Sequence, residues 1–122
     1  DFSKPEGEIR RLAKQYNVIE WAYDEYQLHD MSKRLAREGV GWFRPFSQGI
    51  ERSVADKGLL DAIRQRLIVN PSLPNLTDHL TNANAKLDGD RMRLVKRSET
   101  MKIDLAVCLS MANYELRRLN VG

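Results

Sequence analysis

Residues 98–116, SETMKIDLAVCLSMANYEL, form the stretch on which the predicted fold depends. The segment reads as one helix, with Glu99 in a first turn where the helix dipole favours an acidic side chain. From Ile103 to Ala112 the residues are apolar almost all round, which is typical of a helix buried inside a domain. One carboxylate, Asp104, interrupts that run. Because an ionised Asp on a buried helix is costly unless a metal ion, a cation or several donors meet it, Asp104 is the first candidate for a functional side chain.

Upstream of residue 98, helical and strand patterns alternate along the chain. Helical spacing of apolar residues, together with turn and cap signals, predicts helices over residues 6–15, 25–38, 50–68 and 78–86. Runs rich in β-branched, aromatic or alternating apolar residues predict strands over residues 18–23, 40–46 and 91–96. Strands that alternate with helices indicate the α/β class, with a mixed sheet of few strands, at least partly parallel and flanked by helices.

Several apolar side chains are expected to form the core of this fold. In the helix over residues 50–68, the predicted buried face carries Val54, Leu59 or Leu60, Ile63 and Leu67. The predicted core also contains Trp21, Trp42, Phe46 and Cys108. Since Cys108 is the sole cysteine, the chain can form no internal disulfide and no cysteine-based zinc site.

The composition is that of an ordinary soluble domain, with 122 residues of which 42% are hydrophobic and 30% charged. No run approaches 18 apolar residues, so no membrane span is predicted. The net charge of +3 is compatible with nucleic-acid binding. No Gly-x-x-x-x-Gly-Lys-Ser/Thr motif is present, so the chain itself is not a P-loop ATPase.

Three strands are few for such a sheet and the sequence begins without Met, so we expect it to be a piece of a longer protein.

Asp24 is the second candidate, because it stands at the carboxyl end of a predicted strand, where ligands gather in α/β sheets. Asp24 could instead be the cap of the following helix, which is a common use of Asp. Asp104 could equally form a salt bridge to a distant residue or lie on an exposed stripe. Two carboxylates that converge at one end of a sheet would suit a divalent hard cation, which takes oxygen ligands. Two such ions about 4 Å apart can clamp the attacking and leaving oxygens of phosphodiester hydrolysis.

A basic cluster precedes the last helix and consists of Arg91, Arg93, Lys96, Arg97 and Lys102. The cluster could contact successive phosphates along a nucleic-acid backbone. The strand residues could equally be a solvated edge whose charges block aggregation. His29 and His79 have no second histidine or cysteine at ligand spacing, and we expect surface or local hydrogen-bonding roles for them. Asp88-Gly89 predicts a turn, with Asp88 and Asp90 as minor candidates for a metal neighbourhood.

In order and spacing, these features resemble the nuclease domain of the large terminase subunit of tailed bacteriophages. The resemblance covers nearly the whole chain and rests on the order and spacing of several features. They are a hydrophobic strand ending in Tyr23-Asp24, a helix ending at Gly39, a strand leading into Phe46-Ser-Gln-Gly49, Asp61–Leu67 before a loop, His79-Leu-x-Asn-Ala83, the Asp88-Gly89 turn into Arg91–Lys96, and Lys102-Ile-Asp104 opening an apolar helix.

The resemblance implies an RNase H-like fold, here partial. It implies that residues 1–122 are a single domain, the C-terminal part of a terminase-type nuclease domain. The packaging ATPase of the family is expected to be absent from it. It implies an endonuclease that cuts concatemeric viral DNA during genome packaging, with acidic residues that bind Mg²⁺ or Mn²⁺. Asp24 and Asp104 match two of these acids and are the predicted catalytic and metal-binding residues. A third acid, on the family's central strand, has no match and is expected upstream of residue 1.

The implied partners are double-stranded DNA, the terminase small subunit and the portal, in the cytoplasm of a bacterial host. Arg91, Arg93, Lys96 and Lys102 are the candidates to contact DNA phosphates. A fragment without the central strand could be inactive alone and could bury its open sheet edge against a second copy. The competing hypothesis is a non-catalytic DNA-binding or motor-assembly module, in which both acids serve structure and need not lie close together.

Overall fold

A computed structural model describes residues 3–119 of the protein, except for the side chains at positions 25–27. The chain divides into two compact units, Asp1–Ser47 and Gln48–Gly122. Both contain helices and strands, which confirms the predicted α/β character. None of the helices in the described part combines the length and the apolar character needed to cross a membrane.

The first unit is built around a short parallel strand pair joined by a helix. Its elements are α1 (Ser3–Gln15), β1 (Trp21–Asp24), α2 (Glu25–Arg37) and β2 (Phe43–Phe46). The two strands pair in parallel, with Trp21 opposite Phe43 and Asp24 opposite Phe46. A parallel pair needs a crossover connection, and α2 supplies it. The core of this unit contains Tyr23, Met31, Leu35 and Phe46.

Ion pairs connect α1 to the end of α2. Glu6 of α1 accepts hydrogen bonds from Arg34 of α2 and from Arg10 of its own helix, and Arg10 also pairs with Glu38. The hydrogen bonds from Arg34 are the largest of the effects that lower the pKa of the Glu6 carboxyl, which falls to about 2. The carboxylate is therefore charged throughout the physiological pH range.

Gly39 ends the second helix as predicted. Gly39 has a φ of +78°, and its N–H donates to the carbonyl of Ala36. The N–H of Val40 donates to the carbonyl of Leu35. This is the pattern of a left-handed helix terminus, where glycine is favoured because it has no Cβ. Both strands of the unit are shorter than predicted. The placement of Trp42 in the core is wrong, since this residue is 81% exposed just before β2.

The second unit packs a helix against a β-hairpin and the last helix. Its elements are α3 (Ile50–Arg64), α4 (Pro74–Thr81), β3 (Ala83–Asp88), β4 (Arg91–Lys96) and α5 (Asp104–Leu119). β3 and β4 pair antiparallel, and α3 contacts both β4 and α5. Gly89, with a φ of +66°, lies in the two-residue turn and confirms the turn signal. The described strands thus form two separate two-stranded sheets, one parallel and one antiparallel, in place of the single mixed sheet that we predicted.

The buried face of α3 differs from the predicted one. Val54, Ile63 and Leu67 are exposed, although Leu59 is buried as expected. The buried positions of this helix are Arg52, Ala55, Asp56, Leu59 and Ala62. The prediction failed because α3 carries apolar residues on both faces, and a charged pair four residues apart occupies the face that tertiary packing selects.

The predicted helix over residues 78–86 is also wrong in part. The helix α4 begins at Pro74, a residue suited to a first turn, and ends at Thr81. Residues 83–86 belong to β3, which the sequence analysis missed. Asn84, Lys86 and Asp88 alternate with Ala85 and Leu87, and the Gly89-Asp90 pair between two such segments is itself a hairpin signal.

The last helix begins six residues later than predicted, because residues 98–103 are not helical. It is not buried all round. Leu105, Cys108, Ala112 and Leu116 lie exposed on one side, whereas Ala106, Ser110 and Met111 are buried. The expectation that Cys108 is a core residue is therefore wrong.

Candidate functional site

Asp24 lies where the sequence placed it, at the carboxyl end of a parallel strand. It is the last residue of β1 and is followed at once by α2. The residue is half-buried. Ligand-binding side chains often lie at the ends of parallel strands. An Asp directly before a helix can also be its cap, so the metal-binding role of Asp24 stays a prediction.

Asp104 has a different environment from the one predicted. It is the first residue of α5 and is exposed. Its carboxylate makes no hydrogen bond or salt bridge to any residue in the described part of the chain. The helix dipole stabilises a negative charge at this position. Asp104 therefore needs no buried partner, and its oxygens are available to a ligand.

Two residues from the end of α4 hold the start of α5. His79 accepts a hydrogen bond at Nδ1 from the backbone N–H of Leu105, over 2.9 Å. Asn82 donates from its side-chain amide to the carbonyl oxygen of Lys102, over 3.0 Å. The carbonyl of Asn82 also accepts from the N–H of Arg97, at the exit of β4. The expectation of a local hydrogen-bonding role for His79 is confirmed.

Cys108 follows Asp104 by one helical turn. Partial desolvation of the thiol raises its pKa, and the negative charge of Asp104 raises it further. A raised pKa lowers the fraction of thiolate, which is the form of cysteine that acts as a nucleophile or a metal ligand.

The four predicted phosphate contacts are all exposed in the second unit. Arg91, Arg93 and Lys96 lie on β4 and Lys102 lies in the segment before α5. Among the described residues none of the four forms a salt bridge. Met92 is buried while Arg91 and Arg93 are exposed, so the side chains at the start of this strand alternate between its two faces.

The strand register adds Lys86 to this basic surface. Lys86 stands directly opposite Arg93, and Asp88 stands opposite Arg91. Like charges in direct cross-strand positions repel each other. A cleft of about 230 Å³, here called the hairpin cleft, is lined by Gln48, Gly49, Ser53, Lys86, Asp88, Arg91, Met92 and Arg93. Sequence reasoning missed Lys86 because it assigned the residue to a helix.

A buried polar network joins three elements of the second unit. Both oxygens of Asp56 accept from Arg52 Nε, at 3.0 and 2.9 Å. They also accept from Ser110 Oγ at 2.6 Å and from the N–H of Leu94 at 2.9 Å. Asp56 is 0% exposed and has four hydrogen bonds, so it is fully satisfied and serves structure.

The donor chemistry at Asp24 and Asp104 fits a hard divalent cation, because carboxylate oxygens are its preferred ligands. The number of donors falls short of a complete site. Within the described residues no three side chains of His, Cys, Asp or Glu are grouped so that they could hold a metal ion. Asp24 belongs to the first unit and Asp104 to the second.

Comparison with known proteins identified one family. Residues 3–119 match the family model described as "Terminase large subunit, endonuclease domain". A search of curated proteins found no match. A search of solved structures also found none.

Proposed function

Because the chain belongs to the endonuclease domain family of the terminase large subunit, we propose that it is a divalent-metal-dependent endodeoxyribonuclease that cuts concatemeric viral DNA during genome packaging. The observation that carries the proposal is the exposed carboxylate of Asp104 at the start of α5, which has no described partner. In this proposal Asp24 and Asp104 are the metal ligands, and the metal is Mg²⁺ or Mn²⁺.

When bound, a divalent ion activates water and stabilises the charge that develops on the phosphodiester. The chain itself would supply carboxylate oxygens from two of its elements. Asp104 would offer them at the start of a helix and Asp24 at the end of a strand. The described residues hold no complete ligand set, so water, DNA phosphate oxygens or residues outside the described part would complete it.

The basic surface of the second unit would hold the DNA. Lys86, Arg91 and Arg93 are exposed around the hairpin cleft, and Lys96 and Lys102 extend the positive charge towards the start of α5 in sequence. Contacts of this kind fix the position of a duplex without reading its sequence. As part of a packaging motor, the domain would work beside the terminase small subunit and the portal in the bacterial cytoplasm.

Substitution of the two acids tests the proposal. We expect Asp104→Asn and Asp24→Asn each to reduce Mn²⁺-dependent cleavage of plasmid DNA at least about 100-fold, because removal of a ligand charge weakens metal binding. Isothermal titration calorimetry with Mn²⁺ should show the same loss in the absence of DNA. Asp61→Asn, an exposed change on α3, is the matched control. Cleavage and Mn²⁺ affinity that stay at the parental level in Asp104→Asn would overturn the assignment.

A non-catalytic DNA-binding or assembly module is the second candidate. The basic hairpin cleft is the observation that favours it. In that case the parent chain should bind DNA, with an affinity independent of Mn²⁺, and should leave plasmid DNA intact at every Mn²⁺ concentration. Metal-dependent cleavage by the parent chain would exclude this candidate.

A further inference from the structure

The first turn of α5 lacks the side-chain cap that helices usually have. The carbonyl of Ile103 accepts the hydrogen bond from the N–H of Val107, which makes Ile103 the N-cap residue. An N-cap side chain normally accepts from an N–H group two or three residues later, and the side chain of isoleucine has no acceptor. Asp104 does not replace it, since its carboxylate makes no hydrogen bond within the described chain.

His79 of α4 takes the place of the missing cap. Its Nδ1 atom lies 2.9 Å from the backbone nitrogen of Leu105, the second residue of α5, and accepts that N–H. A neutral imidazole with an acceptor at Nδ1 carries its proton on Nε2. The neighbouring Asn82 fixes the carbonyl of Lys102 on the other side of Asp104. The backbone is therefore held at Lys102 and at Leu105, and Asp104 lies between the two contacts.

We propose that His79 is a positioning residue for Asp104: by capping α5 from another element, it holds the backbone from which the Asp104 carboxylate binds a divalent cation. The inference rests on the proposed function, in which Asp104 is a metal ligand. A free Asp at a helix start tends to turn back and accept from its own backbone N–H groups. The Leu105 N–H is bonded to His79, and the backbone on both sides of Asp104 is fixed by contacts from His79 and Asn82.

Three substitutions at position 79 separate the hydrogen bond from packing. Asn places an acceptor oxygen close to the position of Nδ1, Leu fills similar space without an acceptor, and Ala removes both. We expect His79→Leu and His79→Ala to weaken Mn²⁺ binding about tenfold, the lower end of the usual effect of residues that orient metal ligands. His79→Asn should stay within about twofold of the parent, since it restores the acceptor.

Amide hydrogen exchange gives a readout that does not depend on metal or on activity. In metal-free protein, exchange at Leu105 should become roughly fivefold faster in His79→Leu, the factor that corresponds to one typical cap, and should stay parental in His79→Asn. Asn75→Ala, at an exposed position of the same helix α4, is the control and should change neither exchange at Leu105 nor Mn²⁺ affinity.

The results distinguish failure of this inference from failure of the proposed function. If Asp104→Asn binds Mn²⁺ like the parent, the metal-ligand assignment fails and the positioning role fails with it. If Asp104→Asn loses Mn²⁺ binding while His79→Leu keeps parental affinity, only the positioning role is overturned. Equal loss in His79→Leu and His79→Asn would also overturn it, because the acceptor would then not matter.

Discussion

Two aspartates of the second unit, Asp56 and Asp104, have opposite environments. Asp56 is completely buried on α3 and receives hydrogen bonds from Arg52, Ser110 and the backbone of Leu94. Asp104 is exposed at the start of α5 and has no such partner within the described residues. A buried carboxylate must be paired to be tolerated, whereas an exposed one at a helix start is stable without a partner. The first suits structure and the second suits ligand binding.

Removal of the Asp56 carboxylate should strongly destabilise the protein. Asp56→Ala leaves the Arg52 guanidinium, which is 4% exposed, without its counter-charge. We expect the free energy of unfolding to fall by about 3–5 kcal/mol, because an uncompensated charge remains buried. Urea denaturation followed by circular dichroism would measure it.

The control for this measurement is Asp61→Ala on the exposed side of the same helix. It should change the free energy of unfolding by less than about 0.5 kcal/mol. A similarly small effect for Asp56→Ala would contradict the structural role of the buried pair.

At the scale of elements, the β3–β4 hairpin turns a basic segment of sequence into a basic surface. Alternation along β4 directs Met92 inwards and leaves Arg91 and Arg93 exposed. Pairing with β3 then brings Lys86 opposite Arg93. The surface thus combines charges from two strands, and only one of these strands was visible as a strand in the sequence.

Substitution of the facing pair should lower DNA affinity through electrostatics. We expect Lys86→Ala and Arg93→Ala each to weaken binding of double-stranded DNA of any sequence. Each should reduce the slope of log K against log salt by about one unit, because one phosphate contact is lost. Fluorescence anisotropy over a range of NaCl concentrations would measure both quantities.

Lys14→Ala on α1, which removes the same charge elsewhere, should leave the slope unchanged. Equal slopes in all variants would exclude the hairpin from the DNA interface.

At the scale of the whole molecule, Asp24 lies in the first compact unit and Asp104 in the second. Binding of one metal ion by both residues would require their carboxylates to approach each other.

A crystal structure with Mn²⁺ would test this requirement directly. If both residues serve the same metal site, their carboxylate oxygens should lie within about 6–7 Å of each other, with anomalous density between them. A separation much beyond about 12 Å would favour the non-catalytic module. Crystals of Asp104→Asn, grown and soaked in the same way, provide the control and should lose the anomalous peak.

Local chemistry was sufficient to predict part of the structure. The α/β class, the strand over residues 91–96, the Gly39 helix end, the Asp88-Gly89 turn and Asp24 at a strand end all follow from patterns within a few residues. The resemblance correctly placed Asp104 at the opening of the last helix, whereas the apolar pattern alone had placed it inside a longer helix. The predicted roles of Asp24, Asp104 and the divalent metal stay predictions.

Long-range contacts decided the features that the sequence analysis missed. Apolar residues occupy both faces of α3, so only packing against β4 and α5 could select the face that buries Arg52 and Asp56. Residues 83–86 became a strand because β4 offered unpaired backbone groups, and α5 begins at Asp104 with His79, from 25 residues earlier, as its cap. The sequence by itself determined the local elements and the chemistry of the candidate acids. The tertiary structure decided which side chains are buried and which are exposed, because burial and capping depend on partners that are distant along the chain.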